Sequence, residues 1–318
     1  MEGSIFREDL LTGKRSILVL RPDAIGDCVL CSAFFRELRR SVSQDVRITL
    51  AVQEKVFSVV EACPYVDKVV LYEPLRSRAE SLKERYDIAL APRWDIDYYG
   101  TYEMMAKSEI PVRVGYSCKV NQTKARMNSD ADRFLTHPIL YRDLRHEVEY
   151  NLEFLRFIGG DVVSDDLEVW IPDDAYKWAE SFVGSREIFA LIVGGTAPFK
   201  RWPVGFYEKV AMYFMDRYDW TSVILGGDNV SGDWTSFFSK KTNAVNGVGR
   251  FSLKQAAALL SRCKFAVGND TGMTHISAAL GVKTIELTPY PETGGDPFHP
   301  HHLLYGLFGP IFYQLFAF

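Results

Sequence analysis

The sequence predicts an α/β chain built from two doubly wound, Rossmann-like parallel-sheet domains, and three observations carry that prediction. Short β-branched apolar runs recur with helical segments between them, which is the signature of stacked βαβ units. The series of such units runs twice. Between the two series, Gly159 to Asp174 breaks both periods with Gly-Gly, paired aspartates and Ile171-Pro172-Asp173-Asp174, a linker followed by a capped helix from about Ala175.

In the first series the strands read as Ser16–Leu20, Arg47–Val52, Lys68–Leu71, Ile88–Ala91 and Val112–Gly115. Helices fall around Asp27–Ser41, Glu54–Ala62, Arg76–Arg85 and His146–Ile158. The second series has strands at Ile188–Val193, Thr221–Leu225, Phe265–Val267 and Thr284–Leu287, with helices at Pro203–Arg217, Leu253–Ser261 and Met273–Leu280. The expected domains are therefore residues 1–165 and 166–318. Two such domains facing each other leave a cleft at the carboxyl ends of their strands, where α/β proteins bind ligands.

Bulk properties narrow the function classes. A net charge of −4 argues against a nucleic-acid partner for the chain as a whole. Five cysteines, an odd number scattered along the chain, do not form a disulfide framework, and they point to a reducing cytoplasm. Cys28 and Cys31 form a CxxC inside a predicted helix beside Val29 and Leu30, where core packing is the simpler role than redox or metal chemistry. Met1 to Ser16 has no uninterrupted apolar core and does not read as a signal peptide. Leu303–Phe318 is strongly apolar but contains Gly306, Gly309, Pro310 and Gln314 and falls short of the roughly 20 residues of a membrane span, so it reads as a docking segment or a membrane-surface contact.

Four strand-ending loops carry the candidate chemistry. Arg21-Pro22-Asp23-Ala24-Ile25-Gly26-Asp27 follows the first strand. There Gly26 permits a close turn and Asp27 offers a carboxylate that could take a proton from a hydroxyl, or serve simply as a helix N-cap. Gly194-Gly195-Thr196-Ala197-Pro198-Phe199-Lys200-Arg201-Trp202-Pro203 has the parts of a diphosphate clamp, and solvated basic residues are the plain alternative. Leu225-Gly226-Gly227-Asp228-Asn229 would let a nucleotide approach the backbone at Gly226, or is an ordinary tight turn. Val267-Gly268-Asn269-Asp270-Thr271-Gly272-Met273-Thr274-His275 runs from strand to turn to helix, where free N–H groups hold phosphate and Asp270 can meet sugar hydroxyls; His275 lies one turn into the helix, at the ligand or in the packing.

Other chemistries lack their motifs. GxGxxG is absent, as are a serine elbow and HExxH, and His299, His301 and His302 lack companions at ligand spacing beyond Asp296, so no metal site is expected.

In order and spacing, ILVLRPDAIGD (17–27), VRVGY, RHEVEYNLEFLRFIGG, KRWP and FSLKQAAALLSRCKFAVGNDTGMTHISAALGVKT resemble the lipopolysaccharide heptosyltransferases of glycosyltransferase family 9, over about Ser16 to Leu287. The resemblance implies the GT-B fold and an inverting transfer of a sugar, typically heptose from ADP-heptose, to a lipopolysaccharide core or related glycan. It implies an acceptor-binding first domain and a donor-binding second. Asp27 matches the base, and Thr196, Lys200, Asp270, Thr271, Gly272 and His275 match the donor site; the loop reading adds Gly226 to the donor and Arg21, Gly26, Lys119 and Lys124 to the acceptor, with solvent as the alternative for the two lysines. Neither a metal nor another cofactor is implied. The expected partners are a nucleotide sugar and a glycan or glycolipid acceptor, met in the cytoplasm or peripherally on the inner-membrane surface.

Such a transfer needs one base on the acceptor side and stabilisation of the departing diphosphate on the other, which Lys200 and the helix start at Asp270–Met273 can supply. Asp27 would have to be brought to the donor by domain closure. Further basic residues of the acceptor half, among them Arg36, Arg39, Arg40, Arg113 and Arg126, meet either an acidic acceptor or solvent. After Leu287 the chain departs from the family's Phe-Gly-Pro-Thr-type loop. Two rival readings keep the fold: a nucleotide-sugar epimerase or hydrolase, which consumes donor without acceptor, and a non-catalytic binder, which turns nothing over.

Overall fold

The structure is a computed structural model, and it describes residues 7–143, 145–195, 201–227, 230 and 243–287. These residues form two compact units that divide between Leu167 and Glu168.

The first unit is a six-stranded parallel sheet in the order β3-β2-β1-β4-β5-β6. Its strands are β1 (Ser16–Leu20), β2 (Arg47–Val52), β3 (Lys68–Leu71), β4 (Ile88–Ala91), β5 (Val112–Tyr116) and β6 (His137–Ile139). All five residues of β1 and all four of β4 are buried, as expected of central strands covered on both faces. Around the sheet lie α1 (Ile25–Leu30), α2 (Ser32–Arg40), α3 (Glu54–Val60), α4 (Tyr72–Arg76), α5 (Thr101–Lys107), α6 (Gln122–Met127) and α7 (Glu147–Phe157).

Two helix expectations change here. The helix expected over Asp27–Ser41 begins earlier and breaks at Cys31 into α1 and α2. The helix expected over Arg76–Arg85 is instead the end of α4 and one 3-10 turn, Ala79–Leu82. In that strongly charged stretch Ala79 and Leu82 are the buried residues, and a spacing of three suits one 3-10 turn rather than an α-helical stripe.

The second unit contains α8 (Asp173–Val183), β7 (Ile188–Ile192), α9 (Val204–Tyr218), β8 (Thr221–Leu225), β9 (Val245–Asn246), α10 (Leu253–Leu260), β10 (Ala266–Asn269), α11 (Gly272–Ala279) and β11 (Thr284–Leu287). Its five strands are parallel in the order β11-β10-β7-β8-β9. Asp173 and Asp174 open α8, where carboxylates oppose the positive end of the helix. Ser252 and Gln255 close a full capping box on α10. The core packs Phe189, Leu191, Tyr207, Ile224 and Val267 together.

Each sheet has one point where the strand order reverses, and its loops there leave in opposite directions. In the first unit this point lies between β1 and β4, and in the second between β7 and β10. Among the described residues no helix is long and apolar enough to cross a membrane, and Leu303–Phe318 lies outside them.

Candidate active site

At the β1/β4 reversal the first loop presents a row of charges. Arg21, the residue after β1, is fully buried. Its Nε lies 3.0 Å from Asp23 Oδ2, its NH2 group 2.5 Å from Glu147 Oε1 at the start of α7, and NH1 donates to the Pro92 carbonyl. Burial works against the Arg21 charge, but Asp23 and Glu147 outweigh it and hold the guanidinium well above its ordinary pKa. Burial raises the Glu147 carboxyl despite the opposing pull of Arg21.

Asp27 is the third residue of α1, not its N-cap. Its Oδ2 accepts the Ala24 N–H at 3.1 Å, the back-reaching half of a capping box, while Ala24 as N-cap has no side-chain oxygen for the other half. The remaining oxygen, Oδ1, stands 4.0 Å from Arg93 NH1, and the carboxylate keeps 24% exposure. The Asp27 side chain therefore caps the helix and also faces a cation at the sheet edge. Gly26 is buried inside α1 and is not among the residues with positive φ, so no left-handed turn requires a glycine there.

Arg93 comes from the loop after β4. That loop is held from beneath by Trp94, which stacks on Tyr150 at 4.5 Å and donates to the Tyr141 carbonyl, and by Lys124. Lys124 is fully buried, and its ammonium donates to the carbonyls of Arg93 (3.2 Å) and Trp94 (3.1 Å) and to the Tyr102 hydroxyl (3.1 Å). Burial draws its pKa down to about 7.

Of the expected acceptor contacts, Lys119 alone is exposed, one strand beyond β4 after β5; Arg21, Gly26 and Lys124 lie inside the fold. Several other basic residues are committed to the fold as well. Arg36 is buried against Glu37 and the carbonyls of Ser164 and Asp166; Arg39 holds Asp67 and the Val46 carbonyl; Arg113 clamps the carbonyls of Phe134 and Ile110. Cys28, Cys31, Cys63 and Cys118 are buried as thiols rather than joined as disulfides. Burial raises the Cys28 thiol and pushes Cys31 to about 12, which leaves both protonated packing groups.

At the β7/β10 reversal of the second unit, Asn269 ends β10 and is 1% exposed. Its Oδ1 accepts from the Trp202 N–H (3.1 Å) and the Tyr207 hydroxyl (2.9 Å), and its Nδ2 donates to the Gly194 carbonyl (2.6 Å). One side chain thus ties the end of β10 to the loop after β7 and to the start of α9. Thr271 is the N-cap of α11, and its carbonyl accepts from the N–H groups of Thr274 and His275. Asp270, Thr271 and Gly272 are partly exposed at the positive end of that helix. His275 Nε2 stands 3.6 Å from Asp270 Oδ1, which places the imidazole beside the turn.

Gly194 and Gly195 adopt positive φ, +106° and +141°, and the Arg201 guanidinium donates to the Gly195 carbonyl. Gly226 directly follows β8, next to β7; a Cβ there would stand 2.9 Å from the Val193 carbonyl, so packing between strand ends already requires glycine. Thr196 and Lys200 lie outside the described residues. Among the described residues no group of three or more His, Cys, Asp or Glu side chains could hold a metal ion.

Residues 130–297 match the model of glycosyltransferase family 9 (heptosyltransferase). The chain belongs to glycosyltransferase family 9. The family 9 enzyme is 21% identical over 291 residues to lipooligosaccharide heptosyltransferase 2 of Haemophilus ducreyi, covering 83% of this chain and 80% of that one. Its fold is similar to that of the glycosyl transferase family 9 protein from Veillonella parvula, with a TM-score of 0.75, 22% identity and coverage of 93% and 85% of the two chains. It is similar also to E. coli ADP-heptose lps heptosyltransferase II, with a TM-score of 0.70, 19% identity and coverage of 92% and 97%. These neighbours place the two parallel-sheet units in the GT-B fold.

Sequence reasoning did not single out Asp23, Arg93 or Glu147 as candidates, and it read Asn269 only as part of the NDTG turn. Each had a signal: Asp23 lies in the first loop, Arg93 directly follows a predicted strand, Glu147 opens a predicted helix and Asn269 opens the NDTG turn.

Proposed function

We propose that this enzyme is an inverting glycosyltransferase that moves a heptose from ADP-heptose onto a sugar of a lipopolysaccharide core or a related glycan. The observation that carries the reading is Asp27: a partly exposed carboxylate at the strand-order reversal of the first unit, ion-paired loosely with Arg93. A carboxylate so placed is within reach of an acceptor hydroxyl, as a general base must be. The second unit contributes the donor site at its own reversal, where Asp270 and Thr271 start α11. Departing diphosphate is then stabilised by the α11 N-terminus and by Thr196 and Lys200, with Gly226 and His275 bordering the donor and Lys119 facing the acceptor. The names of the Haemophilus and E. coli relatives support heptose as the sugar. An acceptor anchored in the inner membrane would bring the enzyme to that membrane's cytoplasmic face.

The test pairs turnover with binding. Asp27→Asn should cut turnover of ADP-heptose with a lipooligosaccharide-core acceptor by roughly 10²- to 10⁴-fold, while ADP raises the melting temperature as it does for the wild type. Normal turnover in that variant removes Asp27 as the base. Stabilisation by UDP or GDP in preference to ADP removes ADP-heptose as donor, and donor consumption without acceptor favours a hydrolase.

A further inference from the structure

At the β1/β4 edge two carboxylates face one guanidinium. Arg93 NH1 is bonded to Asp23 Oδ1 but stands 4.0 Å from Asp27 Oδ1, and its Nε is tied to the Ile96 carbonyl at 2.6 Å. Asp23 is 1% exposed, and its other oxygen is held by Arg21, which Glu147 holds in turn. The row Glu147, Arg21, Asp23, Arg93, Asp27 therefore alternates in sign, with its most exposed member at the end where the proposed chemistry occurs.

We propose that Asp23 is a positioning residue that draws Arg93 away from Asp27, leaving the Asp27 carboxylate ionised yet basic enough to take the acceptor's proton. This rests on Asp27 being the base. A guanidinium in full contact with a carboxylate favours the charged form and weakens it as a base. At an effective dielectric near 20, closing an ion pair from 4.0 Å to about 2.8 Å lowers the carboxylate's pKa by roughly one unit. Asp23 prevents that closure by offering Arg93 a buried, already fixed partner. When Asp27 becomes neutral on taking the proton, Arg93 retains Asp23, so no buried cation is left bare during the transfer. Among the described residues, the charged and titratable groups around Asp27 include Arg93 from the loop after β4, whose guanidinium also lies over the Tyr98 ring, Asp23 and Arg21 from its own loop, Glu147 from α7, Tyr99 beyond Arg93, and the protonated Cys31.

The competition makes opposite predictions for its two members. In the full chain, kcat/KM against pH is measured with ADP-heptose and a lipooligosaccharide-core acceptor for wild type, Asp23→Asn, Arg93→Met and Arg93→Lys. Asp23→Asn releases Arg93 onto Asp27, so the acidic limb moves down by about one pH unit and the plateau falls severalfold. Arg93→Met removes the cation, so the limb moves up by about one unit, and Arg93→Lys returns it toward the wild type. General damage to the loop lowers activity but does not drive the limbs apart. Limbs that stay in place, or that move the same way in both variants, overturn the proposal. Should Asp23→Asn not fold, the Arg93 pair decides, and an unmoved limb in Arg93→Met is the overturning result. Asp27→Asn separates the two levels, since retained rate and limb in that variant refute the base itself.

Discussion

Removing the side chain of Asn269 should loosen the second unit and its proposed donor edge together. Asn269→Ala deletes three hydrogen bonds at 2.6, 2.9 and 3.1 Å. Each is worth about 0.5–1.5 kcal/mol net, so the three sum to about 3 kcal/mol. The cost falls unevenly. Tyr207 keeps the Ile192 carbonyl at 3.0 Å, whereas the buried Gly194 carbonyl loses its side-chain donor. A loss of that size corresponds to a fall of roughly 10 °C in the melting temperature of a unit this large. Calorimetry of the full chain measures the fall, and amide hydrogen exchange in β7 and β10 assigns it to the second unit. Affinity for ADP should fall with it, because the loop after β7 is no longer tied to β10. Asn269→Asp adds a check on the sign: an ionised oxygen would face the Gly194 carbonyl where the amide donated, and protonation restores a donor, so its deficit should shrink as the pH falls. An Asn269→Ala protein within about 0.5 kcal/mol of wild type would refute the bracing role.

Three further outcomes follow from buried groups. Lys124 has a folded-state pKa of about 7, below its unfolded value, so the unfolded chain binds more protons between about pH 7 and 10.5. Wild-type stability should therefore rise with pH relative to Lys124→Met across that window, by up to about 1.4 kcal/mol per pH unit in urea titrations, and parallel curves would contradict it. Gly226→Ala should cost about 1–3 kcal/mol, since its Cβ meets the Val193 carbonyl; an unchanged urea midpoint would show that the strand ends can part. Cys28 and Cys31 should resist alkylation at pH 8 in the native protein and react once it is unfolded, whereas rapid native labelling would mark the pair as accessible.

The sheet was legible because a central strand buried on both faces is a continuous apolar run: Ser16–Leu20, Arg47–Val52 and Thr221–Leu225 are the same residues in sequence and structure. Of the four edge strands, Lys68–Leu71 and Thr284–Leu287 were also legible, but the other two gave no such run. His137–Ile139 contains a proline, and Val245–Asn246 is two residues long, so neither has a period to detect. Short helices such as α5 and α6 were missed for the same reason, being too brief to show an apolar stripe. At the site, loop positions could be read from strand ends, but burial could not. Arg21 and Lys124 look like surface cations in sequence, and it is tertiary packing that encloses them among carbonyls and carboxylates. Arg93 owes its place to the adjacency of β1 and β4, strands more than sixty residues apart in the chain, and no local pattern carries that.

The stacking of Trp94 on Tyr150 has an optical consequence. Of the six tryptophans in the chain, Trp94 is the one that precedes Leu167; the others are Trp170, Trp178, Trp202, Trp220 and Trp234. A variant with those five replaced by phenylalanine would emit from a single indole, one residue from Arg93 and in face-to-face contact with a phenol. Its emission wavelength and quenching would report directly on the loop that carries Arg93, so acceptor arrival at the proposed base could be followed in real time without attaching a dye.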